Sequence, residues 1–323
     1  MYDFIPCEYF LMTDDLFGFF NIRPNTVDRS ETTTYIERLR EAAEAAIPAL
    51  NKWGIEAFKD TLEVPHRIRV PSQANTEFQR QQALGDWAEA NVKDGVNQSK
   101  AEVQAVPYGD NSKMHAEDEG FRDFYKASVA RTYVEGKRPD LLLLDACVEA
   151  PNDCTNLSDA ETRKIVKPSI GGLEIRASRY EVQLNKEYKN ARLVLNRKYK
   201  PNELTFTVKI EDLKKVYVWC VTNGKPQAYV QVFFDEVYGL SFLDILKYIG
   251  TAAKPRVNTP KRSGKSTIMV PIGLGKLIGK VTMVPDYELV DNIAKNGRHD
   301  TFAAPKGGKI EIDAAAVRSL LCQ

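Results

Sequence analysis

Four leucines in succession, Leu141 to Leu144, follow Pro139-Asp140 in the stretch GKRPDLLLLDA. A short, unbroken apolar run of this kind reads as a strand covered on both faces. Such a strand needs a layer above and a layer below, so helices have to sandwich the sheet. Asp140 stands at the mouth of that strand. A carboxylate there costs free energy unless it is hydrogen-bonded, paired or holding a cation.

The chain around this run supplies the layers. Residues 1 to about 95 read mainly as helix. Thr34-x-x-Glu37 forms a capping-box pattern, Ile36, Leu39, Ala43, Ala46, Ile47 and Leu50 recur at helical spacing, and a second helix is expected over about 76–92. AEVQAVPYG reads as a strand and FRDFYKASVARTYVEG as a helix stopped by Gly136; residues 149–168 are a polar excursion. GGLEIRAS and LTFTVK read as strands, RYEVQLNKEYKNARLVLNRKYK and IEDLKKVYVWCVTNG as helices, AYVQVFFDEVY as one buried strand and SFLDILKYIG as a short helix. Beyond residue 251, a loop rich in Pro, Gly and Ser leads into three short strands, TIMVPIG, KLIGKVTMV and KIEIDAA. The pattern predicts an α/β fold: a mixed central sheet flanked by helices over 96–250, a helical region over 1–95 and a β-rich tail over 251–323.

Composition excludes several classes. Of 323 residues, 43% are hydrophobic and 28% charged, the balance of a globular chain. Five scattered cysteines without a CxxC pair, and three histidines far apart, argue for a reducing compartment and against a zinc site. The acidic N-terminus lacks the basic region of a signal peptide, and no apolar run reaches the ~18 residues of a membrane span. A cytoplasmic protein with no membrane partner is expected. Gly264-Lys265-Ser266 is not a phosphate loop, because position 259 holds Thr259 and no strand leads into it.

Net charge is only +1, but the charge is segregated. Residues 245–285 carry Lys247, Lys254, Arg256, Lys261, Arg262, Lys265, Lys276 and Lys280 with no acid; a second basic tract over 179–200 holds Arg179, Lys186, Lys189, Arg192, Arg197, Lys198 and Lys200 against Glu181 and Glu187. Such tracts suit a phosphate backbone, and the loop 254–265 is expected to contact DNA.

Asp140 opens one expected strand and Glu174 lies on the next. Adjacent strands run ~4.8 Å apart, so carboxylates at matched height can share a hard cation such as Mg²⁺. The bland alternatives are Asp140 capping backbone amides and Glu174 ion-paired to Arg176 or Arg179. Pro139-Asp140 followed by Glu174-Ile175-Arg176 resembles the PD-(D/E)XK nuclease superfamily. More closely, KRPDLLLLD, LEIRAS, LTFTVKIEDLKKVYVW and AYVQVFFDEVYGLSF resemble type II restriction endonucleases of the AccI type, over roughly residues 100–250.

That resemblance implies Mg²⁺-dependent hydrolysis of double-stranded DNA at a short, palindromic site, by a homodimer, with Asp140 and Glu174 on the metal. One position departs from the pattern. Arg176 stands where the family has lysine, and arginine cannot act as a base near neutral pH. Lys209, at the end of what reads as an adjacent strand, is put ahead of it for that cation, with Arg176 on a phosphate or further out. The alternatives are a non-catalytic DNA-binding protein on a nuclease fold and a structure-specific repair nuclease.

Overall fold

The computed structural model describes residues 31–58, 76–99, 102–109, 120–155, 157–187, 203–259, 266–293 and 299–322. Its centre is a seven-stranded mixed sheet. In spatial order the strands are β1 (Val103–Pro107), β2 (Leu141–Asp145), β3 (Gly171–Ala177), β5 (Gln227–Val232), β6 (Glu236–Ser241), β9 (Lys276–Met283) and β12 (Lys309–Ile312). Only the β3–β5 pair is parallel.

The leucine run explains the layering. Leu142 and Leu144 face a core built with α1 (Glu31–Lys52), α5 (Ile210–Asn223) and α6 (Phe242–Thr251). Leu141 and Leu143 face the opposite core, built with α2 (Thr76–Gln98) and α7 (Ala314–Leu321). All four side chains are buried, as a strand between two helical layers requires. Two further helices are α3 (Phe121–Val134) and α4 (Asp159–Val166).

Several local expectations change. The helix α1 is already under way at Glu31, so Thr34 lies inside it and cannot cap it. AYVQVFFDEVY forms two strands, not one: β5 and β6 make an antiparallel hairpin turning at residues 233–235. The polar excursion contains α4, opened by a capping box between Ser158 and Glu161. LTFTVK becomes β4 (Thr205–Lys209), which leaves the central sheet and joins β8 (Thr267–Pro271) and β7 (Val257–Asn258). In the tail, β10 (Asp286–Ile293) and β11 (His299–Lys306) form a separate hairpin, and the chain ends in α7. No helix among the described residues is long and apolar enough to cross a membrane.

Candidate active site

Residues Leu141 and Leu173 are paired across the antiparallel β2–β3 ladder, which sets Asp140 opposite Glu174 one step further out. On a pleated sheet, directly opposed residues share a face. Glu174 points to the side where α5 lies, and Lys137 bridges it to Asp212 there. The matched height expected of Asp140 and Glu174 is thus a property of the register.

Each carboxylate is half used. Asp140 Oδ2 accepts the backbone N–H of Ile175 at 2.6 Å. Its backbone carbonyl accepts Tyr108 N at 2.9 Å and Gly109 N at 3.1 Å, which fixes the residue against the end of β1. Glu174 is wholly buried; its Oε1 accepts Lys137 Nζ and forms an ion pair with Arg176 Nη2, which makes no hydrogen bond among the described residues. Glu174 Oε2 is buried with no hydrogen-bond partner among the described residues. A buried carboxylate oxygen without a donor costs free energy, and a cation is the group that offsets it. The two bland readings of these acids, an amide cap and an ion pair, are therefore both present, and among the described residues each is made through one oxygen.

The third acid is Asp212, in the first turn of α5. Lys137 Nζ donates to its Oδ2 at 3.2 Å, and Arg176 Nη2 lies 3.9 Å away. Tyr229 stands opposite Glu174 on β5; its buried hydroxyl has no hydrogen-bond partner among the described residues.

The charges tune one another. Burial and the neighbouring Glu174 push Asp140 up to about 7, against the pull of Lys137 and Arg176. Burial would raise Glu174 too, but Arg176 and Lys137 outweigh it and hold Glu174 below the usual carboxylate range. Asp212 is likewise buried, yet Lys137, Lys209 and Arg176 bring it down to about 2. Glu89 on α2 is pushed up to about 8 by burial and by the charges of Asp140, Asp86 and Glu174. Burial opposes the charge on Lys137, and Glu174 and Asp212 overcome it, so Lys137 stays an ammonium. Burial and Glu174 also raise Tyr229, which stays a neutral phenol able to donate.

Among the sequence candidates, Asp140, Glu174 and Arg176 come together. Lys209 does not come from a neighbouring strand, because β4 belongs to another sheet and β3 is flanked by β2 and β5. It occupies the residue before the first turn of α5, without a side-chain capping hydrogen bond, and from there its charge acts on Asp212. Arg179 and Lys186 are exposed. Lys254 packs over the exposed ring of Trp53 at 5.1 Å, and Arg256 lies 3.9 Å from Glu203. Lys189, Arg192, Arg197, Lys198, Lys200, Lys261, Arg262 and Lys265 are outside the described residues. Asp145 ends β2 and pairs with Arg318 of α7, away from the site.

Sequence reasoning missed Lys137, Asp212, Tyr229 and Glu89. Lys137 sat in plain view in the basic pair before Pro139-Asp140, and Asp212 read as an ordinary acid of a helix N-terminus. Nothing local marks Glu89 or Tyr229, whose neighbours come from other elements.

Two acids with spare oxygens beside two fixed cations make the chemistry of a phosphodiester hydrolase: one side can hold a cation, the other an anionic phosphate. The family model described as AccI restriction endonuclease matches residues 33–199 and 182–322. The chain belongs to the AccI restriction endonuclease family and is a type II site-specific deoxyribonuclease. Enzymes of this class bind DNA and are generally metal-dependent. No curated protein and no solved structure matches the chain.

Proposed function

We propose that this chain cuts double-stranded DNA at a short palindromic sequence, using Mg²⁺ held by Asp140 and Glu174 on a core of the PD-(D/E)XK type. The observation that carries the reading is the β2–β3 register, which sets the two carboxylates side by side with Glu174 Oε2 unpartnered. Mg²⁺ favours one or two carboxylates, with phosphate oxygens and water completing its shell, and this donor set fits it. When bound, the ion activates water and balances charge on the scissile phosphate.

The chain's own residues do the rest. The tie from Ile175 N–H holds Asp140 in place. Arg176, with Nη1 on the Ile175 carbonyl at 3.2 Å, keeps its charge against Glu174. Arg179, Lys186, Lys254, Arg256, Lys261, Arg262 and Lys265 track the DNA backbone. The helical region 1–95 and the tail 251–323 contribute grip and dimerisation. A two-fold DNA site is matched by a C2 homodimer, working in the cytoplasm.

Plasmid incubated with the protein and Mg²⁺ should give discrete fragments, lost with Asp140→Ala. A smear without defined ends would turn the reading towards a shape-specific nuclease, and absence of any cut on methylated and unmethylated DNA would sink it. Mapping the fragment ends gives the site, and sedimentation of the protein tests the dimer.

A further inference from the structure

We infer that Lys137 is the ammonium that contacts the scissile phosphate, in place of both Arg176 and Lys209, and that Asp212 is its positioning residue. The inference rests on the nuclease reading above.

The loop that carries Lys137 is held on three sides. Gly136 has φ +83°, and a Cβ there would come within 2.5 Å of Trp219 Cα, so only glycine lets the loop press onto α5. Lys137 N donates to the Lys215 carbonyl at 2.9 Å, and its own carbonyl accepts Gln227 Nε2 at 3.3 Å. The backbone of Lys137 is therefore tied to both α5 and β5, and Pro139 and Asp140 follow directly.

The side chain completes the argument. An ammonium has three N–H donors. One goes to Glu174 Oε1 and one to Asp212 Oδ2 at 3.2 Å. The third has no acceptor among the described residues, and a quarter of the side chain remains exposed. Two carboxylates thus aim a charged donor from the oxygen of Glu174 opposite to the unpartnered one. A fixed donor aimed where charge develops is worth more than a mobile one, because nothing reorganises during the reaction.

The rivals are placed differently. Arg176 donates Nη1 to the Ile175 carbonyl at 3.2 Å, and its Nη2 lies in an ion pair with Glu174 without a hydrogen bond among the described residues. Lys209 acts on Asp212 from the start of α5. In the step served, water forms a new P–O bond and the P–O bond to the leaving strand breaks. The water gives a proton to solvent, the leaving oxygen takes one up, and Lys137 keeps its own.

The test uses the full-length chain with Mg²⁺ on a plasmid fragment whose cut site has been mapped with wild type. Binding of the same fragment is measured in Ca²⁺. Lys137→Met should bind within about 5-fold of wild type and cut at least ~100-fold more slowly, the loss typical of a removed charge-stabilising donor. Lys137→Arg keeps the counter-charge on Glu174 and Asp212, so it guards against a folding failure. Its planar fork cannot divide single donors among three oxygens, and a slowing of at least ~10-fold is expected at an unchanged urea midpoint. For Asp212→Asn, kcat should fall while KM holds.

A folded Lys137→Met that cuts within about 5-fold of wild type, or a Lys137→Arg at full rate, overturns Lys137's role alone. So does a larger loss in Lys209→Met or Arg176→Met. A wild-type chain that cuts no DNA overturns the nuclease reading and Lys137's role with it.

Discussion

Asp140 accepts the backbone N–H of Ile175 through Oδ2 at 2.6 Å. The neighbouring strand therefore holds the carboxylate by one oxygen. An asparagine keeps that acceptor and loses only the charge. Asp140→Asn should fold as well as wild type, because burial and Glu174 already disfavour the charge. Its cleavage rate should fall at least ~100-fold, as expected when a charge at the reacting centre is removed. Circular dichroism melting beside a plasmid assay checks both halves. A variant that cuts normally would remove Asp140 from the site.

Glu174→Gln should behave in the opposite way. Glu174 is the acid on which Lys137 and Arg176 both converge, and it is wholly buried. Removing its charge leaves two cations facing Asp212 and Asp140 alone, and takes away one of the two causes that raise Asp140. Breaking a buried ion pair from one side costs about 3–5 kcal/mol, discounted here because both cations keep part of their solvent contact. Urea unfolding should show a lower midpoint than Asp140→Asn. Equal midpoints would mean that Glu174 is not the counter-charge.

The register itself can be tested at Gly172. A Cβ on Gly172 would lie inside contact distance of the Pro139 ring, 2.8 Å from Pro139 Cβ. The ring cannot swing away as a flexible side chain would, so the Pro139-Asp140 corner has to shift. Gly172→Ala should destabilise the chain by about 1–3 kcal/mol, as overpacking does, and slow cleavage further than that loss explains. A variant with wild-type melting and rate would show that the corner is compliant.

The sheet was legible where one segment decides the outcome. The leucine run is buried on both faces in any sandwich, and Gly224 stops α5 with φ 64° as its position after the helix implies. Pairing partners were not legible. Nothing within LTFTVK says that its edge meets TIMVP rather than LEIRAS, because both offer the same backbone groups. The site shows the same division. Asp140 and Glu174 were readable because acids are costly on apolar strands. Lys137 and Asp212 were not, because a basic pair in a loop and an acid in a helix's first turn look ordinary until the fold brings them within 3.2 Å.

Metal and protons compete for the same oxygens, which gives the last prediction its sign. Asp140 sits at about 7 and Glu89 at about 8, both raised first by burial. Between the unfolded carboxylate range near pH ~4 and these values, the folded chain binds protons that the unfolded chain does not. Without metal, this contribution to stability is therefore greatest at low pH and is lost as pH rises through about 7. Asp212, brought down to about 2, acts in reverse: its contribution is present above pH ~4 and disappears as pH falls towards 2. A divalent cation at Asp140 needs the carboxylate ionised, so it binds more tightly as pH rises through the same window. The melting-temperature gain on adding Mg²⁺ should be small near pH 6 and several-fold larger near pH 8. Asp140→Asn should flatten that difference. A gain independent of pH in the wild type would mean that the ion binds without displacing a proton, and so away from Asp140.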